Sequence, residues 1–253
     1  MPGRGVAWGW QHRATVPPHD EWLTPVEQRE QERFVVPKRR ADWRLGRWTA
    51  KHVVAGWLER QGRPVPPCRV AIVARARDDG YPVVTVPSGP APSISISHSR
   101  EVAVCLVAGS GAAVGCDLEH VEPRSPGFVA DWFTPAERRL VGAAPEAERS
   151  ELVTLIWSAK ESALKALGEG LRLDTRSVEV HPDGPDDRPG ADGWRGVSVV
   201  ASTGPSFSGW WLSTRSRVLV LLAAGGLLDE RPPRPIRQRN RPETATKHLP
   251  PRL

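Results

Sequence analysis

The segment Leu155–Gly170, Leu-Ile-Trp-Ser-Ala-Lys-Glu-Ser-Ala-Leu-Lys-Ala-Leu-Gly-Glu-Gly, constrains this chain more than any other. Leu155, Ile156, Ala159, Ala163, Leu164 and Leu167 recur at helical spacing, which predicts an amphipathic helix with those residues turned inward. Lys160, Glu161 and Lys165 interrupt the apolar pattern. Glu161 and Lys165 stand four apart, so they share a face, with the acid first as helices prefer. An exposed pair of this kind contributes only about 0.3–0.5 kcal/mol. More is implied by a second acidic pair upstream. Gly115-Cys116-Asp117-Leu118-Glu119 follows the apolar run Ala112-Ala113-Val114 and reads as a strand. Residues i and i+2 of a strand point the same way, so Asp117 and Glu119 project together, roughly 7 Å apart at the backbone. Carboxylates that close repel unless a cation or proton lies between them. Asp117, Glu119 and Glu161 together form an oxygen donor set that suits Mg²⁺, a hard ion that leaves other positions to water and phosphate oxygens. The plainer alternative is a pair of acids ending a strand at the surface.

Four stretches occur in order: Ser95-Ile96-Ser97-His98-Ser99, Val114-Gly115-Cys116-Asp117-Leu118-Glu119, Phe133-Thr134-Pro135-Ala136-Glu137, and Trp157-Ser158-Ala159-Lys160-Glu161-Ser162-Ala163-Leu164-Lys165. In these motifs and their spacing the chain resembles the 4′-phosphopantetheinyl transferases, specifically the larger, single-chain, two-lobed class that activates surfactin synthetase. The resemblance covers about residues 34 to 180. It implies an α+β fold of two similar lobes, a pseudo-duplication in which each lobe sets a long helix against an antiparallel sheet. It implies transfer of the phosphopantetheine arm of coenzyme A to a serine of an apo acyl or peptidyl carrier protein, with release of adenosine 3′,5′-bisphosphate. Mg²⁺ would sit on Asp117, Glu119 and Glu161. Glu161 and Lys165 would be catalytic, Lys165 through phosphate contact and stabilisation of the leaving group. His98 resembles the family's phosphate-contacting histidine. Many relatives carry Gly-Lys-Pro or Gly-Arg-Pro before that histidine; this chain has Gly80-Tyr81-Pro82, which removes a basic contact at Tyr81.

Coenzyme A carries three phosphates, so its site demands basic groups. Lys38, Arg39, Arg40, Arg44, Arg47 and Lys51 form a dense cationic stretch. Arg40, Arg44, Arg47 and Lys51 are spaced four, three and four apart, which sets them on one helical stripe. Such a stripe repels itself unless acids or an anion offset it. Arg47 and Lys51 are the first candidates for a 3′-phosphate clamp, with Lys160 and His98 as further coenzyme contacts. A solvated helix face is the alternative. The expected partners are coenzyme A and an acidic carrier protein. Phe128, Trp132 and Phe133 are candidates for its docking surface, or else for the core. Glu137 is assigned a supporting, capping role.

The chain has 253 residues and a net charge of +6. Arg231, Arg234, Arg237, Arg239, Arg241, Lys247 and Arg252 face a single acid, Glu243, and the rest is balanced. A basic tail, and no nucleic-acid partner, follows. No apolar run reaches a membrane span, Val218–Ala224 being too short, and the first residues lack the apolar core of a secretion signal. Cys68, Cys105 and Cys116 fit no metal spacing and are expected as free thiols. A cytoplasmic monomer is expected, with no membrane partner.

The expected division is an N-terminal lobe over 1–111, a C-terminal lobe over 112–230 and an irregular, disordered tail over 231–253. Residues 1–22 read as irregular, with Trp8, Trp10 and Trp22 as packing anchors. Helices are predicted over Val26–Phe34, Ala41–Gln61, Thr134–Val141 and Glu148–Leu167, the last ended by Gly168 and Gly170. Strands are predicted over Arg69–Arg75, Tyr81–Val86, Ser93–Ser97, Val102–Ala108, Ala112–Glu119, Val178–His181, Val197–Ala201, Trp210–Thr214 and Arg217–Ala223. Arg47-x-x-x-Lys51 matches Glu161-x-x-x-Lys165 loosely, as a repeat would. Two similar lobes would leave a cleft, where ligands usually sit. Two other activities fit the same acids: a Mg²⁺-dependent hydrolase of nucleotides or phosphodiesters, and a non-catalytic coenzyme A binding protein.

Overall fold

A computed structural model describes residues 5–75, 81–168, 172–182, 192–214, 216–228 and 232–236. The chain divides into two compact units. One runs to Ala112 and resumes at Pro233; the other is Ala113–Pro232. The fold is α+β with antiparallel sheets, as expected.

The first unit begins with β1 (Ala7–His12), followed by α1 (Pro25–Gln31) and α2 (Pro37–Arg60). Then come the hairpin β2 (Ala71–Ala74) and β3 (Pro82–Thr85), and the hairpin β4 (Ser93–Ser99) and β5 (Val102–Ala108). β5 lies between β1 and β4, antiparallel to both. All seven of its residues are buried, which explains its unbroken apolar run. Helix α2 covers this sheet with Val53, Val54 and Leu58, packed on Ala7, Ile94 and Val107.

The second unit repeats the order. β6 (Val114–His120) precedes α3 (Pro126–Trp132), α4 (Pro135–Ala143) and α5 (Glu146–Leu167). Strands β7 (Val178–His181), β8 (Trp194–Ala201), β9 (Phe207–Ser213) and β10 (Arg217–Ala224) follow, in the sheet order β6-β10-β9-β8-β7. The order β1-β5-β4 and the pair β2-β3 in the first unit are its counterparts. Helix α5 buries Leu155, Ile156, Ala159, Ala163 and Leu164 as predicted, against Val178 and Val220 among others. It ends at Gly168, whose φ of +74° only glycine adopts without cost. Gly170 lies outside the described residues.

One polar knot appears in both units. In the first, Thr24 caps α1 in a capping box with Glu27, while Glu27 Oε2 takes the Lys51 ammonium at 2.5 Å. Lys51 also donates to the Val70 carbonyl at 2.6 Å, and Glu27 Oε1 accepts the Ile72 N–H at 3.1 Å. In the second, Thr134 caps α4 with Glu137, and Glu137 Oε2 takes the Lys160 ammonium at 2.9 Å. Lys160 donates to the carbonyls of Val178 and Thr175 at 2.6 and 2.9 Å, and Glu137 Oε1 accepts the Val180 N–H at 2.8 Å. Each knot ties a short helix, a long helix and a strand together.

Three elements differ from the sequence expectation. β1 lies within the region read as irregular, with Trp8 and Trp22 buried as anchors and Trp10 half-buried. Helix α3 starts on Pro126-Gly127, where Gly127 is a poor helix former but Pro126 suits the first position, and Ser125 caps it by accepting the Phe128 N–H. Residues 232–236, expected within a disordered tail, instead hold β11 (Arg234–Pro235), parallel to β1. Residues 237–253 of that tail lie outside the described residues. All three cysteines are thiols outside any disulfide, with Cys105 and Cys116 buried.

Removing one partner of a buried ion pair strands the other charge. Glu27→Ala and Glu137→Ala are each expected to cost roughly 3–5 kcal/mol in urea unfolding. The double variant Glu137→Ala/Lys160→Met should recover most of the loss.

Candidate functional site

The site is built where α5 crosses β6. Gly115 has an ordinary φ, yet a β-carbon there would overlap the Ser162 carbonyl oxygen of α5. Glycine therefore serves close approach, and it brings the helix backbone down onto the strand two residues before Asp117. Asp117 is buried on β6, opposite Val220 of β10; Glu119, two residues on, is half-buried opposite Val218. From the helix, the Lys165 ammonium donates to Asp117 Oδ1 at 2.8 Å and to the Cys116 carbonyl at 3.2 Å. Arg124 approaches Glu119 at 3.8 Å and Glu122 at 3.3 Å, and its guanidinium covers the Phe128 ring.

The charges at this crossing act on one another. Burial pushes the Glu119 carboxyl above its ordinary pKa and Asp117 pushes it further, with Glu161 adding to the shift; Arg124 and Lys165 oppose. Burial likewise raises Glu161, with Lys165 opposing and Asp117 assisting. Burial disfavours the Lys165 cation, but Asp117, Cys116 and Glu161 outweigh it and leave its pKa raised. Asp117, Glu119, Glu161 and Lys165 therefore share one electrostatic neighbourhood. Among the described residues, no three histidine, cysteine or acidic side chains are gathered closely enough to enclose a metal ion. The donor chemistry nonetheless fits a hard divalent cation. Three mutually repelling carboxylates, short of solvent, have Lys165 as the cation bonded to Asp117.

The expected coenzyme contacts fare differently. Lys160 and Lys51 are fully buried inside their knots, with their ammonium groups bonded to carboxylate and carbonyl oxygens. Neither can reach a ligand, and both assignments are corrected. Burial lowers both lysines' pKa, and Glu137 and Glu27 respectively oppose the shift. Arg47 is also largely buried, paired with Glu30 at 3.3 Å and laid over the Trp43 ring. Arg44 is held by Asp20, Gln31 and the Pro17 carbonyl. The expected stripe is therefore offset by internal acids, which answers the repulsion the spacing predicted. Lys38, Arg39 and Arg40, in the first turn of α2, remain exposed. His98 is exposed near the end of β4, opposite Ala103 of β5. At Tyr81 the Arg75 guanidinium lies 4.9 Å from the ring centre, which returns a positive charge to the position where the sequence lacks one.

Of the aromatic candidates, Phe133 is core, Phe128 packs between Phe133 and Trp157, and Trp132 stays 42% exposed. Glu137 is more than a cap: it is the counter-charge of Lys160. A repeat in the sequence pointed to it, namely Trp22-Leu23-Thr24-Pro25-Val26-Glu27 against Trp132-Phe133-Thr134-Pro135-Ala136-Glu137.

A sequence model of the 4′-phosphopantetheinyl transferase superfamily matches residues 113–190, the segment that contains β6, α4 and α5. The chain is 26% identical over 182 residues to 4′-phosphopantetheinyl transferase HetI of Nostoc sp., covering 70% of this chain and 73% of that protein. It is 33% identical over 101 residues to 4′-phosphopantetheinyl transferase Sfp of Bacillus subtilis, covering 39% and 44% of the two. It is 40% identical over 100 residues to the L-aminoadipate-semialdehyde dehydrogenase-phosphopantetheinyl transferase of Eremothecium gossypii, covering 37% and 36%. The chain thus spans most of the first relative and under half of the other two. The acids and the lysine of the α5–β6 crossing lie inside the segment that this family model matches, so the likeness to 4′-phosphopantetheinyl transferases includes the residues of the candidate site.

Proposed function

We propose that this protein transfers the 4′-phosphopantetheine group of coenzyme A to a serine of an apo acyl or peptidyl carrier protein, releasing adenosine 3′,5′-bisphosphate. The observation that carries this reading is the convergence of Asp117, Glu119, Glu161 and Lys165 on one desolvated crossing within the family-matched segment.

The serine oxygen attacks the β-phosphorus of coenzyme A, and the bond to the bridging oxygen of the diphosphate breaks. Catalysis of such a step rests on positioning and on offsetting charge at that oxygen. Lys165 carries a cation held ionised by Asp117, and it supplies that offset at the departing bridging oxygen, which leaves on the phosphate of adenosine 3′,5′-bisphosphate. Glu161 accepts the serine proton; burial has made its carboxylate a stronger base than an exposed one. Mg²⁺, with Asp117, Glu119 and Glu161 as its protein ligands, supplies Lewis-acid polarisation of the diphosphate oxygens when bound. His98, and the exposed Lys38, Arg39 and Arg40, are the groups in the first unit suited to hydrogen-bond or pair with coenzyme phosphates. Lys51 and Lys160 act on the fold alone.

The partner is a carrier protein with an acidic recognition surface. Trp132, exposed, packs edge-on against Trp157 and accepts a hydrogen bond at its carbonyl from Thr175, the residue before Arg176, while Arg124 covers the ring of Phe128, which also packs against Trp157.

Asp117→Ala is expected to slow transfer by about a thousandfold, roughly 4 kcal/mol, with the fold intact. The assay incubates protein, coenzyme A, Mg²⁺ and apo carrier protein and reads the gain of one phosphopantetheine mass. Near-normal turnover would remove the site assignment, and adenosine bisphosphate release without carrier protein would favour hydrolysis. Lys165→Met and Lys160→Met separate the two lysines. The first should lower turnover with little change in melting, the second should lower melting temperature with an unchanged KM for coenzyme A. Gly115→Ala should cost about 1–3 kcal/mol by forcing α5 off β6, and should slow transfer as well.

A further inference from the structure

We infer that the first unit contains a groove for an extended, proline-rich peptide ending in a branched aliphatic residue, filled here by the chain's own Pro233-Arg234-Pro235-Ile236. The groove runs along the edge of β1 beside α2. Its polar contacts read the peptide's backbone. The Trp8 indole N–H donates to the Pro233 carbonyl at 2.9 Å, and the Ile236 N–H donates to the Trp8 carbonyl at 2.7 Å. Arg60 of α2 donates to the Pro235 carbonyl at 2.7 Å. Proline suits this role because it offers carbonyls and a pre-set backbone while leaving no N–H unmet at a sheet edge.

Its apolar end reads a side chain. Ile236 packs against the core that contains Val53, Val54 and Trp57. A β-carbon on Gly56 would come 2.5 Å from Ile236 Cγ2, whereas on Gly9 the tight neighbour is Val53 Cγ2 at 2.7 Å, with Ile236 Cβ in ordinary contact at 3.7 Å. Neither glycine has a positive φ, so the backbone does not require glycine at either position. Within α2, one turn before its end, Gly56 costs up to about 1 kcal/mol against alanine, and the space it leaves for Ile236 accounts for it. The second unit fills the corresponding place differently. Five residues beyond its buried lysine, where α2 has Gly56, α5 has Lys165, which donates to the Cys116 carbonyl of β6. The first unit thus holds, in that position, a peptide in place of a catalytic cation.

The test uses the full chain carrying Ile236→Asp and follows exchange of the Trp8 indole N–H by NMR. Exchange is expected to quicken by at least about tenfold as the segment leaves. Adding the synthetic peptide Pro-Pro-Arg-Pro-Ile should restore slow exchange, and the same peptide ending in aspartate should not. Gly56→Val, introduced into that variant, should abolish the rescue. Should Ile236→Asp fail to fold, Ile236→Ala carries the same measurements. Unchanged Trp8 exchange in the Ile236 variant, or equal rescue by both peptides, would overturn the groove.

Discussion

The buried carboxylate–ammonium contact between a short helix and a long one governs everything built on this framework. Taking two charges out of water is costly, and their attraction repays it only when the remaining hydrogen-bonding positions are filled. Here they are filled by backbone: two carbonyls complete Lys160, and a strand N–H and the helix cap complete Glu137. The contact therefore fixes the rotation of α5 about its axis. Successive helical residues are about 100° apart, so once Lys160 faces Glu137 and β7, Glu161 must turn away from them. Lys165, four residues after Glu161, falls on the same stripe and meets Asp117 on β6. A charge with no access to a ligand decides where the charges with access are presented.

The two units share that framework and differ in what they hang on it. Trp48-x-x-Lys51 and Trp157-x-x-Lys160 occupy equivalent turns, and each tryptophan packs edge-on against the one that precedes its Thr-Pro-x-Glu box. Beyond the lysine they diverge. His52 packs tilted against Trp48 where the second unit has Glu161, and burial lowers its pKa, so that position favours a neutral ring in the first unit. The polar chemistry is concentrated in one copy, while the other keeps the packing.

Periodicity made most of this legible. The inward face of α5, the continuous run of β5, the Thr134 capping box and the span of β7 all follow from local pattern. The acids and Lys165 were legible because strand and helix spacing each set a pair on one face. What failed did so for physical reasons. β1 has a glycine between tryptophans and no polar alternation, so nothing local marks it as a strand; its partners β5 and β11 make it one. The basic stripe on α2 looked like a ligand site because Glu27, Glu30 and Asp20, which neutralise it, come from earlier in the chain. The repeat itself was visible but out of register: Lys51 corresponds to Lys160, and the matching Trp-x-Thr-Pro-x-Glu boxes were the better guide.

The return of the chain from the second unit to β1 has a consequence for biosynthesis. Ala113–Pro232 is contiguous, and all of its strands have emerged from the ribosome before Ile236 does. The earlier-made unit must wait, its β1 edge bare and the hollow over Gly9 and Gly56 unfilled, until the later-made one has been translated. Order of manufacture and order of completion are thereby reversed, and the N-terminal half is the last to close.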